Sequence, residues 1–124
     1  MKSRDGAIRL KRFQVEEKRR QVSQIEGMIA EFDRMAKELN DQVIAEQERS
    51  GIKDAGHFAY PTFAKAATQR RDNLTASQKA LREQLVQARN ALDEAVADLQ
   101  KIEAIAERDA HNDKHPRLPE ARAS

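Results

Sequence analysis

Few side chains in this sequence are placed to do chemistry, and those few point to binding rather than catalysis. His111 and His115 stand four residues apart with Asp113 between them. On a helix the two imidazoles would share a face, as paired zinc ligands do. Pro116 follows at once and no third strong ligand is close in sequence, so no metal or other cofactor is expected. Nothing resembles a glycine-rich phosphate loop, a nucleophile elbow or an HExxH helix. Isolated carboxylates in a highly charged chain cannot exclude water or shift their acidity far, so the chain is not expected to be an enzyme. Two clusters remain. Arg9, Lys11, Arg12, Lys18, Arg19 and Arg20 form a basic segment with Phe13 inside it. Phe58, Tyr60 and Phe63 bring three of the chain's five aromatic residues into one short stretch. The basic segment suits an anionic surface, whether protein or phosphate. The aromatics suit a protein interface, or else close a turn by packing on one another.

The elements that position these clusters follow from a seven-residue apolar repeat. Ile8, Val15, Val22, Ile29, Ala36 and Val43 recur every seven residues, with Ile25, Phe32 and Leu39 three positions further on. Leu74, Leu81, Ala88, Ala95 and Ile102 form a second ladder, with Leu85, Leu92, Leu99 and Ala106 four further on. A repeat held this long makes two helices pack along a narrow seam. The spacing predicts an all-α protein, a long antiparallel two-helix coiled-coil hairpin over 1–110. Its first helix is expected over about 5–49, a tip over 50–61 and a second helix over about 62–110. A frayed tail is expected from His111 to residue 124, where Pro116 and Pro119 break the period. Ser50-Gly51 supplies the helix stop, Pro61 or Thr62 the restart, and Asp54 a cap for a short helical turn. At about 1.5 Å per residue each arm would reach about 70 Å. Gly27 is the weak point of the first arm, at a cost of about 1 kcal/mol against alanine.

Charge order supports the fold-back. Residues 1–20 carry eight basic and three acidic side chains, and 22–49 carry three and seven. Residues 62–89 carry six basic and two acidic, and 91–110 carry two and six. Folding at the tip sets plus against minus along both arms, which selects orientation more than it adds stability. The register that follows faces Ile8 with Ile102, Val22 with Ala88, Ile25 with Leu85, Ile29 with Leu81 and Ala36 with Leu74. It brings Arg12 near Glu103, Glu26 near Arg89 and Asp33 near Arg82. Gln78 then faces Phe32 and Arg71 faces Leu39, while Lys11 and Lys18 occupy seam positions. Two explanations of these polar intrusions stand. Long stems snorkel out while Gln78 fixes the register, or a third partner covers them.

Composition agrees with a thin seam. Charged residues make up 35% of the chain and aromatics 4%, too few bulky groups for an ordinary globular core. The chain has no cysteine, which fits a reducing cytosol. No apolar run approaches the roughly 20 residues of a membrane span. The basic N-terminus lacks the apolar stretch of a secretory signal.

Two segments go beyond a generic coiled coil. They are Arg9-Leu-Lys-Arg-Phe-Gln-Val-Glu-Glu-Lys-Arg-Arg-Gln-Val22 and Gly56-His-Phe-Ala-Tyr-Pro-Thr-Phe-Ala-Lys-Ala-Ala-Thr-Gln-Arg-Arg-Asp-Asn-Leu74. Both resemble the FliJ family of flagellar export proteins, and the resemblance covers roughly residues 1–110. It implies an antiparallel coiled coil similar to the central stalk of rotary ATPases, without hydrolytic activity of its own. It implies a cytoplasmic component of the flagellar type III export apparatus, peripheral to the inner face of the membrane. The implied partners are the export ATPase FliI, the export gate FlhA and export chaperones, in flagellum assembly and motility. On that analogy the terminal end would enter the ATPase ring, with Arg9, Lys11, Arg12, Arg19 and Arg20 as candidate contacts beside Leu99 and Ile102. The tip or its flank would meet the gate, with Phe58, Tyr60 and Phe63 as candidates. Two alternatives stand beside it: a coiled-coil scaffold or dimerisation protein of another pathway, and a basic hairpin that binds nucleic acid. The second is opposed by the acidic end of the second helix, which should lie alongside and partly neutralise the basic segment, so no nucleic-acid partner is expected.

Overall fold

The computed structural model describes residues 3–114. It contains two helices, α1 (Ser3–Ser50) and α2 (Thr62–Lys114), and no strand among the described residues. The chain is an all-α helical hairpin in which α1 and α2 run antiparallel and pack on each other. Its residues group into two compact units. One is built from Met1–Arg20 with Arg89–Ser124, the other from Gln21–Ala88.

In the first unit Val15 is buried, and Ile8, Leu92, Ala95, Leu99, Ile102 and Ala106 are half-buried. These are the ladder positions, so the seven-residue period reports the seam directly. Ion pairs cross between the helices, among them Arg4 with Asp109 and Arg12 with Glu103, the latter at 3.0 Å. The Arg12–Glu103 pair is one the charge order anticipates.

In the second unit Val43, Ala64 and Ala67 form a buried cluster, with Leu39 and Tyr60 packed against it. Leu81 and Leu85 are buried further along, and Val22, Ile25, Ile29, Phe32 and Ala36 are half-buried. Alanine opposite valine lets the two backbones approach closely at the end nearest the turn. Large apolar groups are needed only where the helices stand further apart. Gln78 lies on the same seam at 5% exposure, and its Nε2 donates to the Ile29 carbonyl oxygen at 2.9 Å. Arg71 turns out of the seam and donates from Nη1 to Asn40 Oδ1 at 2.7 Å. The polar intrusions into the second unit are thus satisfied by the partner helix.

The end of α2 corrects the expected boundary. The helix continues through His111, Asn112 and Asp113 to Lys114, so the frayed tail does not begin at residue 111. Proline removes its own N–H and restricts only the residue before it. Pro116 therefore leaves Lys114 free to stay helical. His115 and the rest of the expected tail lie outside the described residues.

Candidate partner-binding surfaces

The basic candidates belong to the first unit, and most of them are already engaged. Arg19 donates to Glu16 at 2.7 Å, Arg20 to Glu17, and Arg12 to Glu103. Arg9 is exposed. Lys11 and Lys18 are half-buried, with stems that cover the seam from its edge. Lys18 also borders an open groove whose lining includes Gln14, Ala91, Ala95, Glu94 and Asp98. Exposed ion pairs of this kind contribute about 0–1 kcal/mol each, so a partner can exchange them at little cost. They nonetheless remove much of the positive potential that a count of cations suggests. On the same stretch of α1, Leu10 and Phe13 are 55% and 62% exposed. They sit three residues apart, on neighbouring turns of one helix face. Sequence reasoning passed over Leu10 and noted Phe13 only as a companion of arginines, because both fall outside the seam period.

The turn in the second unit is tightly built. Gly51 takes φ 75°, and its N–H donates to the Gln47 carbonyl at 2.9 Å, which closes α1. Ser50 Oγ accepts from Ile52 N at 3.2 Å. Asp54 Oδ1 accepts from Gly56 N at 2.9 Å, and the Asp54 carbonyl accepts from His57 N at 3.0 Å. Asp54 therefore closes a turn rather than capping a helical one. His57 Nδ1 accepts from Ala59 N at 3.0 Å, and the His57 carbonyl accepts from Tyr60 N at the same distance. The Pro61 carbonyl accepts from Lys65 N at 3.1 Å and starts α2.

This turn separates the three aromatics. Tyr60 packs on the Val43–Ala64–Ala67 cluster, and its hydroxyl accepts from Gln47 Nε2 at 2.9 Å. It closes the hairpin and has little surface left for a partner. Phe58 is 96% exposed, and its ring stacks on His57 with centroids 4.7 Å apart. Phe63, in the first turn of α2, is 55% exposed. The three rings do not pack on one another: His57–Phe58 is the ring contact found among the described residues.

A further surface of the second unit was not foreseen. Phe32, Met35 and Leu39 of α1 and Arg70, Leu74 and Ser77 of α2 line an open groove of about 360 Å³. The opposite side of the seam is bridged by Asn40–Arg71 and Gln47–Tyr60. On the groove side Met35 is exposed and Phe32, Leu39 and Leu74 are half-buried. A seven-residue period identifies which residues face the partner helix, but not which flank of the seam stays open.

Charged groups elsewhere in the second unit pair along the helix. The Arg34 guanidinium, hydrogen-bonded to Glu31, holds that carboxyl below its ordinary range. The Lys37 ammonium does the same for Asp33, helped by Gln78 and by the charge of Arg82. Arg82 thus lies close enough to Asp33 to be felt, as the register requires. Among the described residues no three His, Asp or Glu side chains converge as cation ligands, and no helix is long and apolar enough to cross a membrane.

What the fold defines is an all-α helical hairpin with exposed apolar residues on its helices and at its turn. No protein-family model, curated protein or solved structure matches the chain.

Proposed function

We propose that this chain is a soluble accessory component of the bacterial flagellar type III export apparatus. It acts as a stalk-like coiled coil between the export ATPase ring and the export gate, cytoplasmic and peripheral to the membrane at the flagellar base. It also helps handle export chaperones. The observation that carries this reading is the pair of FliJ-like segments, Arg9–Val22 and Gly56–Leu74, on a chain that folds as an antiparallel two-helix hairpin. Two further features support it. Leu10 and Phe13 in the first unit, and Met35 and Phe58 in the second, are among the exposed apolar residues. A protein that bridges two partners needs separate contact surfaces of this kind.

The terminal contact with the ATPase is assigned to Leu10 and Phe13 together with Arg9, Lys11, Arg12, Arg19 and Arg20. The gate contact is assigned to the groove and turn of the second unit. Tyr60 supports the turn from within.

The test is co-purification of the full chain with the export ATPase, with ATP hydrolysis measured in its presence and absence. Stoichiometric binding with altered hydrolysis is expected. No binding and unchanged hydrolysis, together with normal motility of a clean deletion strain, would overturn the proposal.

A further inference from the structure

We propose that the groove side of the second unit is an interface with a second copy of this chain. The second copy docks with its turn at the same end and builds an all-antiparallel four-helix bundle over this stretch. This goes beyond the export reading and does not rest on it.

The groove belongs to a second seven-residue pattern. On α1, Met28, Met35 and Gln42 stand one place before the seam residues Ile29, Ala36 and Val43. On α2, Phe63, Arg70 and Ser77 stand one place before Ala64, Arg71 and Gln78. Met28, Met35 and Phe63 are 47%, 37% and 55% exposed. Exposed residues further out on the same flank are Glu38 and Ala45 of α1 and Ala66 and Asn73 of α2. Apolar residues that keep a seven-residue spacing beside an occupied seam suit a further helix on that side. Ile44 and Val86 are exposed outside this pattern, which is ordinary for single residues.

Heights along the hairpin are fixed by contacts across the seam. Arg71 reaches Asn40, and Gln78 lies beside Asp33. Met35 is therefore level with Asn73 and Ser77, Gln42 with Ala66 and Arg70, and Phe63 with the space between Ala45 and Arg49. A two-fold axis along the hairpin sets α1 of one copy against α2 of the other and preserves these heights. Met35 then meets the small Asn73 and Ser77, and Phe63 meets Ala45 and the stem of Arg49. Large faces small in both layers, and each contact occurs twice. Every helix is flanked by antiparallel neighbours, as in an up-and-down bundle. The other face-to-face choice, α1 on α1, would set methionine on methionine and the carboxylates of Glu31 and Glu38 against their own copies.

The charges of this flank, counted with their partners, agree. Glu31 and Glu38 share one cation, Arg34, and Arg49 is paired with Glu46. The α1 edge is therefore left with one carboxylate in excess. From α2 the charged side chain lining the groove is Arg70, which is exposed. The two-fold axis brings Glu38 of each copy within about one turn of Arg70 of the other. Opposite charges placed so select this orientation more than they add affinity.

From Met28 to Gln42 the stripe is about 20 Å long. At two helices wide it lies at the small end of specific interfaces, so a dimer with Kd on the order of 10 μM is expected. An export-gate contact at the same groove would have to displace the second copy.

The test is sedimentation equilibrium of the full chain over about 1–500 μM, a range that spans this Kd. Met35→Glu should weaken self-association about tenfold or more, with an unchanged circular dichroism melt in dilute solution. Glu38→Arg and Arg70→Glu should each weaken it, and the two together should recover most of the loss. Orientation is read from one spin label per chain at Lys53→Cys, since the chain has no cysteine. Turns at the same end keep the labels within about 30 Å of each other, whereas turns at opposite ends set them about 50 Å apart. A chain that stays monomeric throughout, a dimer indifferent to Met35→Glu, a charge exchange that recovers nothing, or the longer distance would overturn the proposal. None of these results touches the export reading, which stands or falls on binding to the ATPase.

Discussion

Gln78→Leu is the substitution that separates stability from specificity in the second unit. Gln78 is 5% exposed, and its amide is spent on the Ile29 carbonyl. That carbonyl lies inside α1 and keeps its own helical hydrogen bond, so removing the carboxamide leaves no orphaned acceptor. The loss is therefore one neutral side-chain hydrogen bond, about 1 kcal/mol. The gain is an apolar side chain of similar size at a buried position between Leu74, Leu81 and Leu85, about 1.5–3 kcal/mol for full burial of leucine. The variant should be more stable than the natural chain by about 1 kcal/mol, or about 4 °C in melting temperature. The compensating cost should appear in register. With Gln78 gone, Leu74, Leu81 and Leu85 face an uninterrupted apolar ladder on α1, and a seven-residue slip no longer buries a carboxamide away from its acceptor. Such a slip displaces one helix by about 10 Å along the other.

The chain has no cysteine, so spin labels on Ala30→Cys and Ala80→Cys report the register without interference. Both alanines are exposed. One narrow distance is expected for the natural sequence. Gln78→Leu is expected to add a second distance while its urea midpoint rises. A fall in stability of more than about 1 kcal/mol would mean that the hydrogen bond outweighs leucine burial and would refute the energetic reasoning. A single unchanged distance together with higher stability would refute the register role.

Gly27→Ala and Gly51→Ala test the two glycines against each other in urea denaturation. A Cβ at Gly27 meets nothing within 4 Å, so alanine should add about 1 kcal/mol of helix stability. At Gly51, with φ 75°, alanine should cost about 1–2 kcal/mol. Acid should destabilise the second unit, because Glu31 and Asp33 have folded pKa values below their ordinary 4.5 and 3.8. Their contribution is present above those ordinary values and is lost as pH falls through the lower folded ones. Melts between pH 7 and 3 should be flat until about pH 5 and then decline, with Glu31→Gln flattening part of the decline. Leu10→Ser with Phe13→Ser should leave the melt within about 0.5 kcal/mol of the natural chain and reduce co-purification with the export ATPase. Arg12→Glu, Arg19→Glu and Arg20→Glu together should also weaken that binding while helicity persists. Unchanged ATPase binding in both sets would remove the terminal assignment.

The seam was readable because one number, the period, determines which side chains meet, and Val15, Val43, Leu81 and Leu85 are buried where that period places them. Arg12 and Glu103 were readable as a pair because opposite charge at matched height needs only the direction of the fold-back. The three aromatics were not separable in sequence. Phe58, Tyr60 and Phe63 are separated by the Tyr60 hydroxyl, which Gln47 holds, and by where the turn aims them, and the latter depends on backbone angles and side-chain-to-backbone bonds no period carries. The end of α2 was misjudged for a simpler reason. A proline was read as breaking the turn before it, whereas it constrains one residue. The open groove beside Phe32 and Leu39 depends on which flank Asn40, Arg71, Gln47 and Tyr60 close, a choice made between side chains after the helices have paired. The basic segment teaches the most, because its pairing was present in the sequence. Glu16 stands three residues before Arg19 and Glu17 three before Arg20, a spacing that joins them on neighbouring turns. Summing charges over twenty residues hid those pairs and made the arginines look like an anion site. Once the pairs are recognised, Leu10 and Phe13 become the conspicuous feature of that stretch of α1, and the partner to seek there has an apolar surface before it has a negative one.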